Sequence, residues 1–144
     1  MTTITVSKKI NASSDIIFRA ISDVKNLPET NPDIINIEFL TELKSGVGTR
    51  FIETRLMKGK KSKTELEITE LEENKHIRMV ADSHGTVWDS LFTLIPDGDQ
   101  NMVILSMDAR AHKLVPKLLN PLMKGLYKNG LEKHMDALKD YCEK

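Results

Sequence analysis

The final third of the chain has a helical pattern of apolar residues that follows a long series of strand-like segments. From Leu114 to Tyr141, apolar residues recur at the spacing of one helix face. The segments before it alternate apolar and polar residues and are separated by turn residues, with almost no helical pattern between them. An amphipathic helix must bury its apolar side, so this order predicts one long helix lying across the inner face of a curved sheet.

Turn signals separate the strand-like segments at short, regular intervals, which is typical of antiparallel neighbours. The predicted strands cover residues 3–10, 34–43, 49–57, 63–72, 76–83, 86–95 and 101–110. Two short helices are predicted after the first strand. The capping residues Asn11–Asp15 precede a helix that ends near Asp23, and Pro28 and Pro32 leave room only for a short second helix at 25–29.

The apolar face of the C-terminal helix is interrupted near its middle. At 100° per residue, this face carries Leu119, Met123, Leu126, Tyr127, Gly130, His134, Leu138 and Tyr141. Gly130 and His134 lie where a packed core would hold leucine, and a gap beside a polar ring predicts an internal cavity. Pro116 is expected in the first helical turn or a short preceding one, with Asn120 capping a helix that restarts at Pro121.

Length and composition predict a single soluble domain that spans residues 1–144. The 21 basic and 21 acidic residues give no electrostatic argument for nucleic acid or an anionic membrane. No apolar run approaches the roughly 20 residues that cross a bilayer, so stable membrane insertion is not expected. The N-terminal residues lack a signal-peptide core, and the single cysteine, Cys142, is typical of a reducing compartment. Together these features predict a cytoplasmic protein.

The order of elements, with several short motifs, resembles the START-like (SRPBCC) superfamily, which includes birch-pollen-allergen relatives and the polyketide cyclase/dehydrase and lipid-transport family. The motifs are Asn11–Phe18, Ile21–Asp23, Gly46–Phe51, Ile68–Glu72 and Phe92–Pro96. The resemblance implies an α+β helix-grip fold: a curved antiparallel sheet of about seven strands, two short helices after strand 1, and a long C-terminal helix over an apolar cavity. Many relatives have a tryptophan where this chain reads Asn26–Pro32, so the cavity mouth is expected to differ.

Three polar residues are candidates for binding or catalysis inside this cavity. His134 could orient a polar ligand atom or act as a general base, and its alternative is a core histidine bonded to the backbone or to a strand side chain. Glu53 and Arg55 point inward if Phe51 does. In the opposite register Ile52, Thr54 and Leu56 are inside and the two charges face water.

Apolar side chains are expected to form most of the cavity wall. Gly130 would leave room for a ligand, or would pack closely against a residue such as Trp88, which could itself be an ordinary core residue. The complete predicted ligand-binding set is Phe51, Glu53, Arg55, Leu66, Ile68, Trp88, Phe92, Met123, Tyr127, Gly130, Leu131 and His134, with Ile21 as a further wall residue. Met57, Met79, Met107 and Met123 can also be placed on the inner face.

The first functional hypothesis is binding or carriage of a small hydrophobic or amphipathic molecule. The second is a cyclase, aromatase or dehydratase in which His134 or Glu53 is the base and Arg55 holds an enolate oxygen. The third is a co-chaperone-like interaction module with a collapsed cavity.

Several other kinds of site have no support in the sequence. The four histidines lack metal-ligand spacing, no nucleophile elbow occurs, and Gly46–Gly48 is too short for a phosphate loop. The basic segment Lys58–Lys63 lacks aromatic residues for stacking bases, so nucleic acid is not an expected partner. We therefore expect neither a metal nor a cofactor, and a monomer or weak homodimer.

Overall fold

The computed structural model describes residues 2–144, which form an α+β helix-grip fold. One curved antiparallel sheet has seven strands in the order β1-β7-β6-β5-β4-β3-β2. The strands are β1 (Thr2–Ile10), β2 (Ile34–Phe39), β3 (Arg50–Met57), β4 (Lys60–Glu72), β5 (His76–Ser83), β6 (Thr86–Asp97) and β7 (Gln100–Ala111). The helices are α1 (Ser14–Ser22), α2 (Leu27–Thr30), α3 (Leu114–Leu119) and α4 (Lys124–Cys142), with a 3₁₀ turn at Val24–Asn26 before α2. The predicted fold class is confirmed.

The largest differences from the predicted strands are at two ends. β2 stops at Phe39, four residues earlier than predicted, and β4 begins three residues earlier, at Lys60. The β3–β4 hairpin therefore has a two-residue tip, Lys58 and Gly59, whose φ angles are 52° and 77°. Positive φ at both tip residues gives a turn whose twist matches that of the flanking strands.

The first helix begins where the capping residues predicted it. The Ser13 hydroxyl accepts a hydrogen bond from the backbone N–H of Ile16 at 3.3 Å, and Asp15 lies in the positively polarised first turn. The buried side chains of α1 are Ile17, Phe18, Ala20 and Ile21. This apolar stripe holds α1 and α2 against one end of the sheet and leaves the rest of its inner face to the C-terminal helices.

The C-terminal helical region is two helices, so the predicted restart near Asn120 occurs, and α4 is the predicted long C-terminal helix. Pro116 lies in the first turn of α3, where its missing N–H breaks no hydrogen bond. The chain then turns through residues 120–123, and α4 starts at Lys124 with Met123 at its N-cap rather than at Pro121. Asn120 does not cap α4, because its side chain is bonded to Thr86 on β6.

The buried residues of α4 all lie in its second half. Met135 and Leu138 are fully buried and Cys142 is nearly so, where α4 contacts β1, α1 and α2. Nearer its N-terminus, Leu126 is 56% exposed although it lies on the same apolar face. The helix is therefore held at its C-terminal end, and its first half extends over the sheet without filling the space beneath.

Polar contacts reinforce the packed end of α4. Asp136 forms an ion pair with Lys8 on β1, and the Glu143 carboxylate accepts a hydrogen bond from the backbone N–H of Asn11 at 2.7 Å. Lys139 donates both to the same Glu143 carboxylate and, at 3.3 Å, to the carbonyl of Lys9. These contacts fix the end of the helix against β1 and the loop that follows it.

The two faces of the sheet differ in character because side chains alternate along each strand. On the outer face, Asp89 of β6 is buried between two arginines, Arg78 at 2.8 and 3.0 Å and Arg110 at 3.1 Å. The hydrogen bonds from Arg78, followed by those from Arg110, lower the pKa of the Asp89 carboxyl against the opposing effect of its burial. On the inner face the adjacent Trp88 has Ala81 and Ala109 as its cross-strand partners, and these small residues leave the indole ring room.

Substitutions at the two ends of α4 are expected to differ sharply in their cost. Leu138→Ala should lower the free energy of unfolding by about 2–5 kcal/mol, because it opens a cavity in a close-packed region. Leu126→Ala, the matched control on the same helix, should change it by less than about 0.5 kcal/mol. Urea unfolding followed by circular dichroism measures both. Equal costs at the two positions would contradict packing mainly at one end.

Candidate functional site

A large cavity lies between the inner face of the sheet and the C-terminal helices. Its volume is about 1420 Å³, and it is lined by residues from β2 to β7 and from all four helices. Exposed side chains of the β3–β4 hairpin and of α3 form part of its lining, and we call this open side the mouth. Drug-sized ligands usually occupy clefts of roughly 300–1,000 Å³, so this one has room for a ligand of that size.

Gly130 lies on the wall of the cavity at the middle of α4. A Cβ atom built at this position would meet no other atom within 4 Å. The alternative in which Gly130 packs closely against Trp88 is therefore wrong. Glycine lowers helix stability by about 1 kcal/mol relative to alanine. At Gly130 the missing side chain leaves open space next to the sheet.

Most of the predicted apolar wall residues do line the cavity, but two do not. The lining includes Ile21, Leu66, Trp88, Phe92, Met123, Tyr127 and Leu131. Phe51 and Ile68 instead lie fully buried in the packed core. Both side chains face inward as expected. Phe51 lies two residues beyond the lining residue Glu53, and Ile68 lies two residues beyond Leu66. At that depth the core covers the sheet. The alternation of side chains along a strand correctly predicted that both residues face inward, but it does not indicate how deep the cavity is.

The methionines placed on the inner face also reach the cavity. Met57 lies at its rim, Met79 and Met107 on its floor, and Met123 on its helical wall. Thioether side chains are flexible and polarisable, so they adapt to ligands of different shape.

Glu53 and Arg55 both point into the cavity and pair with each other. Arg55 Nε donates to Glu53 Oε1 at 2.8 Å, and the Glu53 side chain is almost fully buried. The Arg55 side chain remains 35% exposed. Within residues 2–144 its terminal NH₂ groups have no hydrogen-bond partner, so the guanidinium can still donate to a molecule in the cavity.

Basic side chains outnumber acidic ones around the cavity. The basic residues are Arg55, Lys58, Lys113 and Lys133, against Asp33 and Glu53. Lys133 and Asp33 pair with each other, because Lys133 Nζ donates to Asp33 Oδ1 at 3.0 Å. With two more basic than acidic groups in its lining, the cavity favours negative charge.

His134 faces the cavity beside Phe92, with the two rings edge to face and their centroids 5.6 Å apart. Burial, followed by the nearby positive charge of Arg55, lowers the pKa of the imidazole to about 4, and Asp33 opposes the shift. The ring is therefore neutral at physiological pH. Within residues 2–144 neither ring nitrogen has a hydrogen-bond partner, so the alternative of a bonded core histidine is wrong and one donor and one acceptor remain available.

Asn120, Thr86 and Tyr127 form a hydrogen-bonded network on the cavity wall. Only Tyr127 was among the predicted site residues. Asn120 donates from Nδ2 to Thr86 Oγ1 at 3.1 Å and accepts from the Tyr127 hydroxyl at 3.0 Å. The Tyr127 ring meets the Trp88 ring edge to face, with centroids 5.1 Å apart, and burial raises the pKa of its phenol. This network ties the turn between α3 and α4 to β6.

The sequence carried a usable signal for some of the other polar lining residues. Thr64 and Ser90 alternate with Leu66 and Trp88 on strands already assigned an inward face, so period-two counting finds them. The pairing of Asp33 with Lys133 joins positions 100 residues apart and left no local pattern.

A profile of the polyketide cyclase/dehydrase and lipid transport family matches residues 1–143. The chain belongs to this family. Comparison with curated proteins finds no match.

Solved structures with the same fold come from bacteria and plants. A START superfamily protein from Mycobacterium smegmatis is 20% identical, with a TM-score of 0.81 over 98% of this chain and 97% of its own. Ginseng major latex-like protein 151 from Panax ginseng is 13% identical, with a TM-score of 0.78 over 98% and 97%. Truncated norcoclaurine synthase from Thalictrum flavum is 18% identical, with a TM-score of 0.77 over 97% and 92%. At these identities the likeness establishes the fold.

This family member shows neither a metal cluster nor a membrane-crossing helix in its described part. Residues 2–144 contain no group of three or more His, Cys, Asp or Glu side chains arranged to hold a metal ion. Over the same residues, no helix combines the length and apolar character needed to cross a bilayer.

The low pKa of His134 should make the ligand-free protein sensitive to acid. The unfolded chain protonates this residue near its ordinary pKa of 6.5, whereas the folded protein resists protonation until about pH 4. Stability conferred by the neutral ring is thus complete above pH 6.5 and is lost as the pH falls toward 4. The full shift corresponds to about 3–4 kcal/mol, and partial exposure to the cavity reduces the expected loss to about 2 kcal/mol.

Urea unfolding between pH 7 and 4 measures this loss, with His134→Gln expected to flatten the curve over that range. His76→Gln, at the far end of the sheet, serves as the control and should keep the native pH dependence. If His134→Gln leaves the slope unchanged, the imidazole is not held neutral in the folded protein.

Proposed function

We propose that this protein binds a small amphipathic molecule, one with a long apolar body and an anionic or strongly accepting head, in the cavity beneath α4. The observation that carries the proposal is the open volume of about 1420 Å³, lined mainly by apolar side chains and with basic groups in excess. Family membership supports it, because the family description names lipid transport together with cyclase and dehydrase members.

The apolar wall would supply most of the binding free energy. Burial of apolar surface contributes about 25 cal/mol per Å², so a ligand that hides about 300 Å² gains roughly 7 kcal/mol before entropy losses. Trp88 and Phe92 offer flat surfaces, and the four cavity methionines adapt to an irregular chain. Such a wall selects for length and bulk more than for a particular covalent structure.

The polar groups would fix the orientation of the ligand. Arg55 offers guanidinium N–H groups beside the buried Glu53, and His134 offers one donor and one acceptor. A carboxylate or a carbonyl oxygen placed between them could accept hydrogen bonds from both residues. Its apolar tail would then lie along Trp88 and Met123 toward the mouth.

The same geometry favours binding over a cyclase or dehydratase reaction. A general base works best with a pKa near the operating pH, and a pKa of about 4 makes His134 a weak proton acceptor at neutrality. Glu53 already accepts a hydrogen bond from Arg55, which leaves it poorly placed to abstract a proton. An open cavity also argues against the interaction-module hypothesis, which requires a collapsed one.

A pair of probes that differ only in head-group charge tests the orientation. Trp88 is the single tryptophan of the chain and lines the cavity, so its emission reports entry of dodecanoate or dodecanol. Dodecanoate should bind at least about tenfold more tightly than dodecanol, because a charge-assisted hydrogen bond contributes roughly 1.5–3 kcal/mol. The double variant Glu53→Gln/Arg55→Gln, which leaves no unpaired charge, should abolish this preference.

Absence of any emission change with either probe, together with no co-purifying ligand in native mass spectrometry, would refute the proposed function. Equal affinities for the two probes in the unaltered protein would support binding of an apolar molecule but contradict recognition of an anionic head group.

Gly130→Leu should block the cavity without loss of fold. A leucine here extends into open space, so affinity for dodecanoate should fall at least tenfold, as judged by Trp88 titration. Stability should stay the same or rise by about 1 kcal/mol, because glycine is removed from a helix. Gly125→Leu is the matched control, since it lies on the same helix in open space but does not line the cavity. Unchanged affinity in Gly130→Leu would place the ligand elsewhere.

A further inference from the structure

An unusually exposed set of apolar side chains lies in and around α3. Leu122 is 81% exposed and Leu114 is 71% exposed. Val115, Leu118, Leu119 and Leu126 are also largely exposed, which makes six exposed aliphatic side chains within 13 consecutive residues. Single exposed leucines are ordinary, but a contiguous cluster marks an interaction surface.

Lysines flank this cluster, and acidic residues are missing from it. Between residues 111 and 131 the sequence contains Lys113, Lys117, Lys124 and Lys128 and neither aspartate nor glutamate. The overall charge balance of 21 basic and 21 acidic residues hides this local excess.

The β3–β4 hairpin has the same composition. Residues 54–64 contain four lysines and one arginine without an acidic residue. Leu56 and Met57 are exposed beside the lysine-bearing tip. Two segments far apart in sequence thus share exposed apolar groups and unopposed positive charge.

Both segments border the cavity mouth. Met57 and Lys58 of the hairpin line the same cavity as Lys113, Leu114 and Val115 at the start of α3. The backbone N–H of His112 donates to the carbonyl of Gly85 at 2.8 Å, which fixes the start of α3 against the β5–β6 turn. We call residues 56–61 and 113–126 together the mouth surface.

Acidic groups near this end of the sheet do not neutralise the mouth surface. Asp33 pairs with Lys133 at 3.0 Å, and Asp82 lies 2.8 Å from the ring of His112. The lysines of the mouth surface form no ion pair among the contacts within residues 2–144. The positive charge is therefore free to meet an external anion.

We propose that the mouth surface docks on an anionic phospholipid bilayer. Exposed leucines on a short helix can enter the boundary between head groups and acyl chains, while flanking lysines contact anionic head groups. A bilayer matches both features at once, and it accepts mobile aliphatic side chains without a complementary shape. Docking in this orientation sets the cavity opening against the lipid. The inference does not depend on any cavity ligand.

Flotation of the full chain with lipid vesicles tests the proposal. Vesicles of phosphatidylcholine with phosphatidylglycerol should bind the protein, and vesicles of phosphatidylcholine alone should bind it at least tenfold more weakly. Raising the salt concentration should weaken binding to the anionic vesicles, because the electrostatic attraction is screened.

Two double variants separate the apolar and the charged contributions. Leu118→Ser/Leu122→Ser removes exposed leucines that do not line the cavity, and Lys60→Glu/Lys124→Glu reverses one lysine in each segment. Each should reduce binding to anionic vesicles at least tenfold. The controls, Leu40→Ser/Leu43→Ser and Lys25→Glu/Lys75→Glu, alter exposed residues of the same types outside the mouth surface and should bind normally.

Failure of the unaltered protein to float with anionic vesicles overturns the proposal, as does normal binding by both mouth variants. Circular dichroism confirms that each variant is folded before it is scored. Gly130→Leu should float like the unaltered protein, which separates docking from occupancy of the cavity. Loss of dodecanoate binding with retained flotation would count against the cavity ligand alone.

Discussion

The packing of α4 at one end is the contact on which the rest of the structure depends. Met135 and Leu138 fill the space between the helix, β1 and the short helices, and the Lys8–Asp136 pair and Glu143 hold that end in place. In the first half of α4, Tyr127 contacts Trp88 of the sheet, and the space around this contact is open. A cavity of about 1420 Å³ can therefore exist in a chain of 144 residues with a well-packed core.

Charge inside the cavity is tolerated because each ionic group has a partner or a route to water. Glu53 is buried but accepts from Arg55, and Arg55 keeps part of its guanidinium toward the open space. Histidine solves the same problem by staying neutral, since burial disfavours the imidazolium form of His134. The result is a mainly apolar chamber in which a few polar atoms point inward without a partner, and those atoms are where selectivity would arise.

Sequence periodicity predicted the strands and the faces of their side chains, and it placed Gly130 and His134 on the cavity side of the helix. It could not tell how far the cavity extends, so Phe51 and Ile68 were assigned to it although the core encloses them. The helical periodicity also could not distinguish the packed end of α4 from the half that lies over the cavity, because both carry the same apolar stripe. Contacts between distant positions, such as Asp33 with Lys133, leave no local trace.

Because α4 is packed mainly at its C-terminal end, its two halves differ in how freely their sequences can diverge within this fold. Residues over the chamber make few contacts that stabilise the native state, so they can be exchanged with little thermodynamic loss while the fastened end stays the same. Proteins 13–20% identical to this chain keep its architecture with TM-scores of 0.77–0.81. In a fold of this kind, substitutions along one helix face can change the shape and polarity of the cavity without any change to the sheet.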